Sequence, residues 1–206
     1  MKSLVIHTTI RWRTSKETFM KIYFHLNLGG FSNCYVVVNE KAHEAIVIDP
    51  GEVTEEIISQ IEENHLKLSA ILITHNHSSH TNGIKTLKKI YTPKIYAADW
   101  EVAKNDTTVI TGDGKFKVAK MNVRYMAVPG HTADSVVYGI GNVLFTGDVI
   151  FAGSMGSTNS SYSKFILRSN IETKILSQQD ATILMPGHGP PSTVGAVKQF
   201  NFDISD

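Results

Sequence analysis

Cysteine is almost absent: Cys34 is the only one in 206 residues. No intrachain disulfide can form, and the tetrathiolate zinc sites and CxxC redox motifs that need paired thiols are excluded. Any metal must be held mainly by histidine and carboxylate. Proline and glycine are sparse, at 6 and 15 residues, beside 42% apolar and 19% charged residues, which excludes collagenous, low-complexity and disordered classes. Neither sign of charge dominates. Twenty Lys and Arg against nineteen Asp and Glu leave a formal charge of +1, so no whole-molecule field gathers nucleic acid or anionic membrane, and neither partner is expected. The longest apolar runs, such as Cys34 to Val38 and Ala70 to Ile73, fall far short of the roughly 18 residues that a bilayer span needs. The run Leu4 to Ile6 is too short for a signal-peptide core, and a cytoplasmic location is expected.

What is present is one domain's worth of regular pattern. A strong strand signal with its own methionine begins at Met20. Residues 1–19 therefore read as an N-terminal extension of uncertain order, compatible with an edge strand, a flexible arm or an unused upstream start, and 20–206 as the domain. KIYFHLNL, CYVVV and AIVIDPG read as strands, with turns at Gly29-Gly30 and Asn39-Glu40. Thr54 can cap a helix whose Ile57, Ile58 and Ile61 share one face, and SAILIT then supplies a buried strand. The next helix follows Thr81, with Ile84, Leu87 and Ile90 expected inward and Lys85, Lys88 and Lys89 on a solvated face. KIYAA, hairpin-like strands from Val118 to Val128, SVVYGI and VLFTGD come next, then a helix from Lys164 to Leu176, the strand ATILMPG and a helix after Thr193. This alternation is that of an α/β protein.

Polar residues recur directly after apolar strands: His75 after AILIT, His131 after AVPG, Asp148 after VLFTG, His188 after ILMPG. Strand ends are where mixed sheets place ligands, so the four junctions imply one shared rim. Five of nine histidines (His75, His77, His80, His131 and His188) sit in such turns, three of them within six residues. In an extended segment His75 and His77 point the same way and can reach one ion, while His80 faces a neighbouring position. The plainer reading of HxHxxH alone is loop histidines with ordinary hydrogen bonds.

Taken together, Thr74-His75-Asn76-His77-Ser78-Ser79-His80, Pro129-Gly130-His131-Thr132, Phe145-Thr146-Gly147-Asp148 and Pro186-Gly187-His188-Gly189-Pro190 closely resemble the metallo-β-lactamase superfamily. From about Met20 onward the chain is most similar to its short glyoxalase-II-like hydrolases. The resemblance implies a four-layer αββα sandwich, two mixed β-sheets flanked by helices, with a dinuclear site at their common edge. It implies His75, His77 and His131 on a first ion, His80 and His188 on a second, and Asp148 bridging both. The implied cofactor is Zn²⁺, one or two ions, with Fe²⁺ or Mn²⁺ also compatible. The implied activity is hydrolysis of an ester or thioester bond in a small-molecule substrate by a metal-bound hydroxide, with Asp148 and position 79 as catalytic residues.

Position 79 departs from the pattern. The family's HxHxDH motif has an aspartate there that ligates the second metal and hydrogen-bonds the hydroxide; this chain has Ser79. A neutral hydroxyl is a poor ligand, so the second ion is expected to bind weakly or not at all. The loop after Asp148 also departs, with Gly156-Ser157-Thr158-Asn159 where related hydrolases have GRTD, and Asn82 replaces a commoner glycine. The chain ends eighteen residues after His188, so glutathione recognition by a C-terminal helical domain is not expected. Two other functions fit the same residues: a non-catalytic or regulatory metal-binding relative, and a mononuclear iron enzyme resembling persulfide dioxygenases on His75, His131 and Asp148.

The remaining conspicuous residues have plain readings. Asp49 is expected to brace the ligand loops. Cys34 is expected to be a buried, inert thiol. His25 is expected to face solvent or a hydrogen-bond partner rather than a metal. Tyr162, Lys164 and Arg168 are expected on the surface, and His7, His43 and His65 have no motif context.

Overall fold

The computed structural model describes residues 9–13 and 19–205. Of the N-terminal extension, residues 1–8 and 14–18 lie outside the described residues. Residues Thr9–Arg13 form β1, antiparallel to β2 (Phe19–Asn27).

Two mixed sheets face each other. The first runs from β1 through β2, β3 (Ser32–Asn39), β4 (Glu44–Ile48), β5 (Lys67–Leu72) and β6 (Lys94–Ala97) to β7 (Thr107–Val109), in chain order. β2, β3 and β4 are antiparallel meanders, while β4, β5, β6 and β7 are parallel neighbours. Parallel pairing needs helical crossovers: α1 (Glu55–Glu63) links β4 to β5, and α2 (Ser78–Thr81) with α3 (Ile84–Ile90) links β5 to β6. The second sheet contains β8 (Gly114–Val118), β9 (Met121–Ala127), β10 (Val136–Ile140), β11 (Val143–Gly147), β12 (Ile183–Pro186) and β13 (Ser192–Thr193), in the spatial order β13-β12-β11-β10-β9-β8. α4 (Ser161–Asn170) continues through one π turn, Ile171–Ile175, and α5 (Val194–Phe200) follows β13.

Three apolar layers separate four layers of structure. Ile22, Val37, Ile46 and Ile48 meet Val123, Tyr138, Phe145 and Met185 between the sheets. Ile57, Ile61, Ile84 and Leu87 pack on the outer face of the first sheet against Val36, Val47 and Ile71. Leu167, Ile171, Val194 and Val197 cover the outer face of the second against Val137, Leu144 and Leu184. β3 and β11 are buried along their whole length, which is why they read as continuous apolar runs rather than alternating ones.

Local chemistry sets the element ends. The Thr54 hydroxyl accepts from the Ile57 N–H, and Glu55 and Glu56 occupy the first turn of α1, where the helix dipole favours acid. The inward triad expected on α3 is corrected: Ile84 and Leu87 are buried, but Ile90 is 51% exposed. Each step of three residues falls about 60° short of a full turn, so Ile90 has rotated away from the sheet where the helix ends. α4 and its π turn begin earlier than expected, at Ser161 behind the Ser160 cap. β8 begins at Gly114, and the hairpin turns through Ala119 and Lys120, both at positive φ. Among the described residues no helix is long and apolar enough to cross a membrane.

Candidate metal centre

The rim where both sheets end is fastened by bonds between them. The Asn33 N–H donates to the Gly187 carbonyl at 2.7 Å. The Asn33 side-chain amide donates to the Pro186 and Gly189 carbonyls, and the Tyr35 hydroxyl to Pro186 at 2.6 Å. Val136 N–H donates to the Thr74 carbonyl at 2.8 Å. These contacts tie β3 to the end of β12, and the end of β5 to the start of β10.

All six sequence-identified donors meet there. His75 and His77 follow β5, His80 lies on α2, His131 follows β9, Asp148 follows β11 and His188 follows β12. They fall into two groups: His75, His77, His131 and Asp148 in one, and His80, Asp148 and His188 in the other, each with ligand atoms within 4.8 Å of one another. Asp148 belongs to both. Its Oδ2 lies 3.7 Å from His75 Nε2, 3.6 Å from His80 Nε2 and 3.8 Å from His131 Nε2. Those gaps are too long for hydrogen bonds, and two ligands each about 2.0–2.2 Å from one ion span such a gap.

Neighbouring groups fix the protons. Thr74 Oγ1 donates to Asp49 Oδ2 at 2.7 Å, so at 3.1 Å it accepts from His75 Nδ1, leaving His75 Nε2 with its lone pair toward the cluster. His131 Nδ1 donates to the Ser157 carbonyl at 2.7 Å, with the same result at its Nε2. His77 Nδ1 stands 2.8 Å from the first of these lone pairs and 3.3 Å from the second. Three ring nitrogens thus converge with at most one hydrogen among them. His80 Nδ1 donates to Asp49 Oδ2 at 3.1 Å, and its wholly buried Nε2 has no hydrogen-bond partner. An orphaned buried nitrogen costs about 1–3 kcal/mol, and a cation between it and Asp148 removes that cost. This donor set fits a divalent ion.

The electrostatics agree. Burial first, and then the neighbouring His80, push His75 down to about 2, so its ring is neutral at physiological pH. His77 is lowered by burial and by His131. Burial would also lower His80, but the Asp49 carboxylate outweighs it, aided by Asp148, and raises it to about 10. The environment of His80 is built for positive charge, and an incoming ion competes with that proton. Burial would raise Asp148, yet the hydrogen bond with His188 and the neighbouring His80 ring hold it well below the usual carboxylate range. His188 Nδ1 lies 2.8 Å from Asp148 Oδ1.

Asp49 braces the ligand loops as expected: buried and at positive φ, it also accepts from the Thr74 N–H at 2.8 Å. Thr74 is a contributor that sequence reasoning passed over, although its hydroxyl directly precedes His75. Close packing explains two glycines. At Gly147, with φ of 51°, a Cβ would strike the Thr74 side chain, and at Gly187 it would strike Asp148 and lie 2.7 Å from the His80 ring. Ser79 is half-buried on α2, its carbonyl accepting from Ser32 Oγ at 2.6 Å. It lines a cleft of about 380 Å³ with Asn27, Gly29, Gly30 and the exposed Glu52.

The loop after Asp148 is held from far along the chain. Asn201 Nδ2 donates to the Phe151 carbonyl at 3.1 Å, the Phe202 N–H to Gly153 at 3.0 Å, and the Met155 N–H to Asp203 Oδ2 at 2.9 Å. Cys34 is fully buried, and burial raises its pKa. His25 does not face solvent: it is 5% exposed, within 2.9 Å of Gln60 Oε1 on α1. Tyr162 is on the surface as expected.

The family model described as the metallo-beta-lactamase superfamily matches residues 27–102 and 108–188. This chain belongs to the metallo-beta-lactamase superfamily. Among its superfamily relatives, a hydroxyacylglutathione hydrolase of Chromohalobacter salexigens is 29% identical over 157 residues, covering 75% of this chain and 60% of that protein. The chain therefore spans less than two thirds of that relative's length. Among superfamily structures, the BLEG-1 B3 metallo-beta-lactamase aligns over 90% of this chain and 100% of its own, with a TM-score of 0.79 and 25% identity. ETHE1 from Myxococcus xanthus aligns over 89% and 84%, with a TM-score of 0.80 and 21% identity. The two mixed sheets with outer helices are the superfamily's αββα sandwich.

Proposed function

We propose that this protein is a metal-dependent hydrolase acting on an ester or thioester bond of a small molecule. The observation that carries the reading is the convergence of ring nitrogens of His75, His77 and His131, with at most one hydrogen among them, on an ionised Asp148, beside the unpartnered His80 Nε2. His75, His77, His131 and Asp148 would hold one ion. His80, Asp148 and His188 would hold a second, and imidazole with carboxylate suits Zn²⁺, with Fe²⁺ or Mn²⁺ also compatible. Such an ion, when bound, polarises a carbonyl and lowers the pKa of water in contact with it.

The chain's own residues prepare that chemistry. Thr74 and Ser157 set the tautomers of His75 and His131, and Asp49 holds Thr74 and His80 together. Asp148 remains ionised and supplies the negative charge both groups share. Because Ser79 stands in place of an acid, the second group has three donors, one of them shared, and its ion is held less tightly than the first.

The test combines metal content after anaerobic purification with turnover of a thioester and lactone panel. Hydrolysis that a chelator abolishes and Zn²⁺ restores is expected. Full occupancy by one ion with no turnover on any substrate would point instead to a non-catalytic metal-binding protein. Oxygen uptake with a persulfide, on bound iron, would assign the site to oxidation.

A further inference from the structure

A cavity of about 280 Å³ opens beside the metal centre, and His131 forms part of its wall. His131 also belongs to the first metal group, so the cavity adjoins that group. The remaining wall includes Ala133, Asn159, Tyr162, Ser163 and Ile166, and none of its residues carries a permanent charge.

Its serine and threonine hydroxyls are already engaged. Ser163 Oγ donates to Asn159 Oδ1 at 3.3 Å and lies 2.8 Å from the Ser160 hydroxyl, while the Thr132 and Ser135 hydroxyls pair at 2.7 Å. The apolar part of the wall is supplied by Pro129, Ala133, Ile166 and the Tyr162 ring. The two cations nearest in the chain are turned to acids elsewhere: Lys164 to Asp203 at 3.3 Å and Arg168 to Glu172 at 2.9 Å. The first turn of α4 offers backbone N–H groups and a favourable dipole for an anion. Ser160 already takes part of that offer, its hydroxyl accepting from the Ser163 N–H at 3.0 Å and its carbonyl from the Lys164 N–H at 3.0 Å. A carboxylate entering here would lose water without gaining a cationic side chain from the wall.

Building on the hydrolase reading, we infer that this cavity is the acyl subsite and that it selects an uncharged, largely apolar acyl group. Its volume lies at the lower end of ligand pockets, enough for a short aliphatic or single-ring acyl chain. Substrates whose acyl group ends in a carboxylate are rejected.

The experiment uses the full chain loaded with Zn²⁺ and two N-acetylcysteamine thioesters, butyryl and succinyl. Their non-hydrolysable amide analogues are followed in parallel by amide NMR shifts. The butyryl thioester is expected to show at least a tenfold higher kcat/KM, and its amide to shift Thr132, Tyr162 and Ile166. Ile166→Lys, which adds a cation to the wall, is expected to reverse the preference. Equal turnover of both thioesters, unmoved by Ile166→Lys, would overturn the subsite while leaving the hydrolase reading intact. Selective binding of the butyryl amide at these residues without any turnover would uphold the subsite and remove the hydrolase. Neither binding nor turnover would remove both.

Discussion

Replacing Ser79 by aspartate supplies the acid that the HxHxDH pattern implies, and its effect can be estimated from the site. The second group has His80, His188 and a shared Asp148, so the change adds a fourth donor and a full negative charge. A unit charge about 4 Å from another contributes about 4 kcal/mol at an effective dielectric of 20, hence about 8 kcal/mol toward a divalent ion. Desolvating the new carboxylate costs several kcal/mol, and repulsion from Asp148 offsets about 3 kcal/mol more. The net gain is about 2–3 kcal/mol, or roughly 30- to 150-fold in affinity for the second ion. The cleft of about 380 Å³ beside Gly30 leaves room for the larger side chain. Titrating metal-free protein with Zn²⁺ by calorimetry in a competing chelator, with metal counted independently, separates the two steps. Wild type should show one tight and one weak step, and Ser79→Asp should strengthen only the second. Two equally tight steps in wild type, unchanged in the variant, would refute the argument and mean that another group already completes the second site.

Asp49→Ala removes the acceptor of three buried hydrogen bonds and should cost about 3–5 kcal/mol; a urea midpoint within 1 kcal/mol of wild type would count against the bracing role. The Asp203 carboxyl is lowered by the Met155 N–H first and by Lys164 next. A depressed pKa stabilises the fold above the unfolded value near 3.9 and loses that effect as pH falls through the folded value. Asp203→Asn should therefore be about 1 kcal/mol less stable at pH 7 and approach wild type under acid, as read from unfolding curves at both pH values. Cys34, buried with its pKa raised, should resist iodoacetamide in the native protein and react only once the chain is unfolded in urea; rapid native labelling would show that the first sheet opens locally.

The strand-to-turn junctions made the donor set legible, because apolar runs announce strand ends and histidine or aspartate directly after them is conspicuous. Helix faces were less secure. Ile90 follows the same spacing as Ile84 and Leu87, yet a short helix stepping in threes drifts off its own face. For His25 the sequence leaves solvent and a hydrogen-bond partner as alternatives, and Gln60 decides for the second: alternation tells which residues share a face of β2, but not that α1 covers it. The fastening of the rim was hidden altogether. Asn33 reaches carbonyls 153 and 156 positions away, and a main-chain acceptor has no side-chain identity for a pattern to reveal.

The loop that follows Asp148 has its form written in two places. Its letters lie between Val149 and Ser160, but beside its own turns three of the bonds that shape it come from Asn201, Phe202 and Asp203, about fifty positions downstream. Grafting the loop alone onto another scaffold would transplant the spelling and leave the shape behind, so the portable unit is the loop together with its distant clasp.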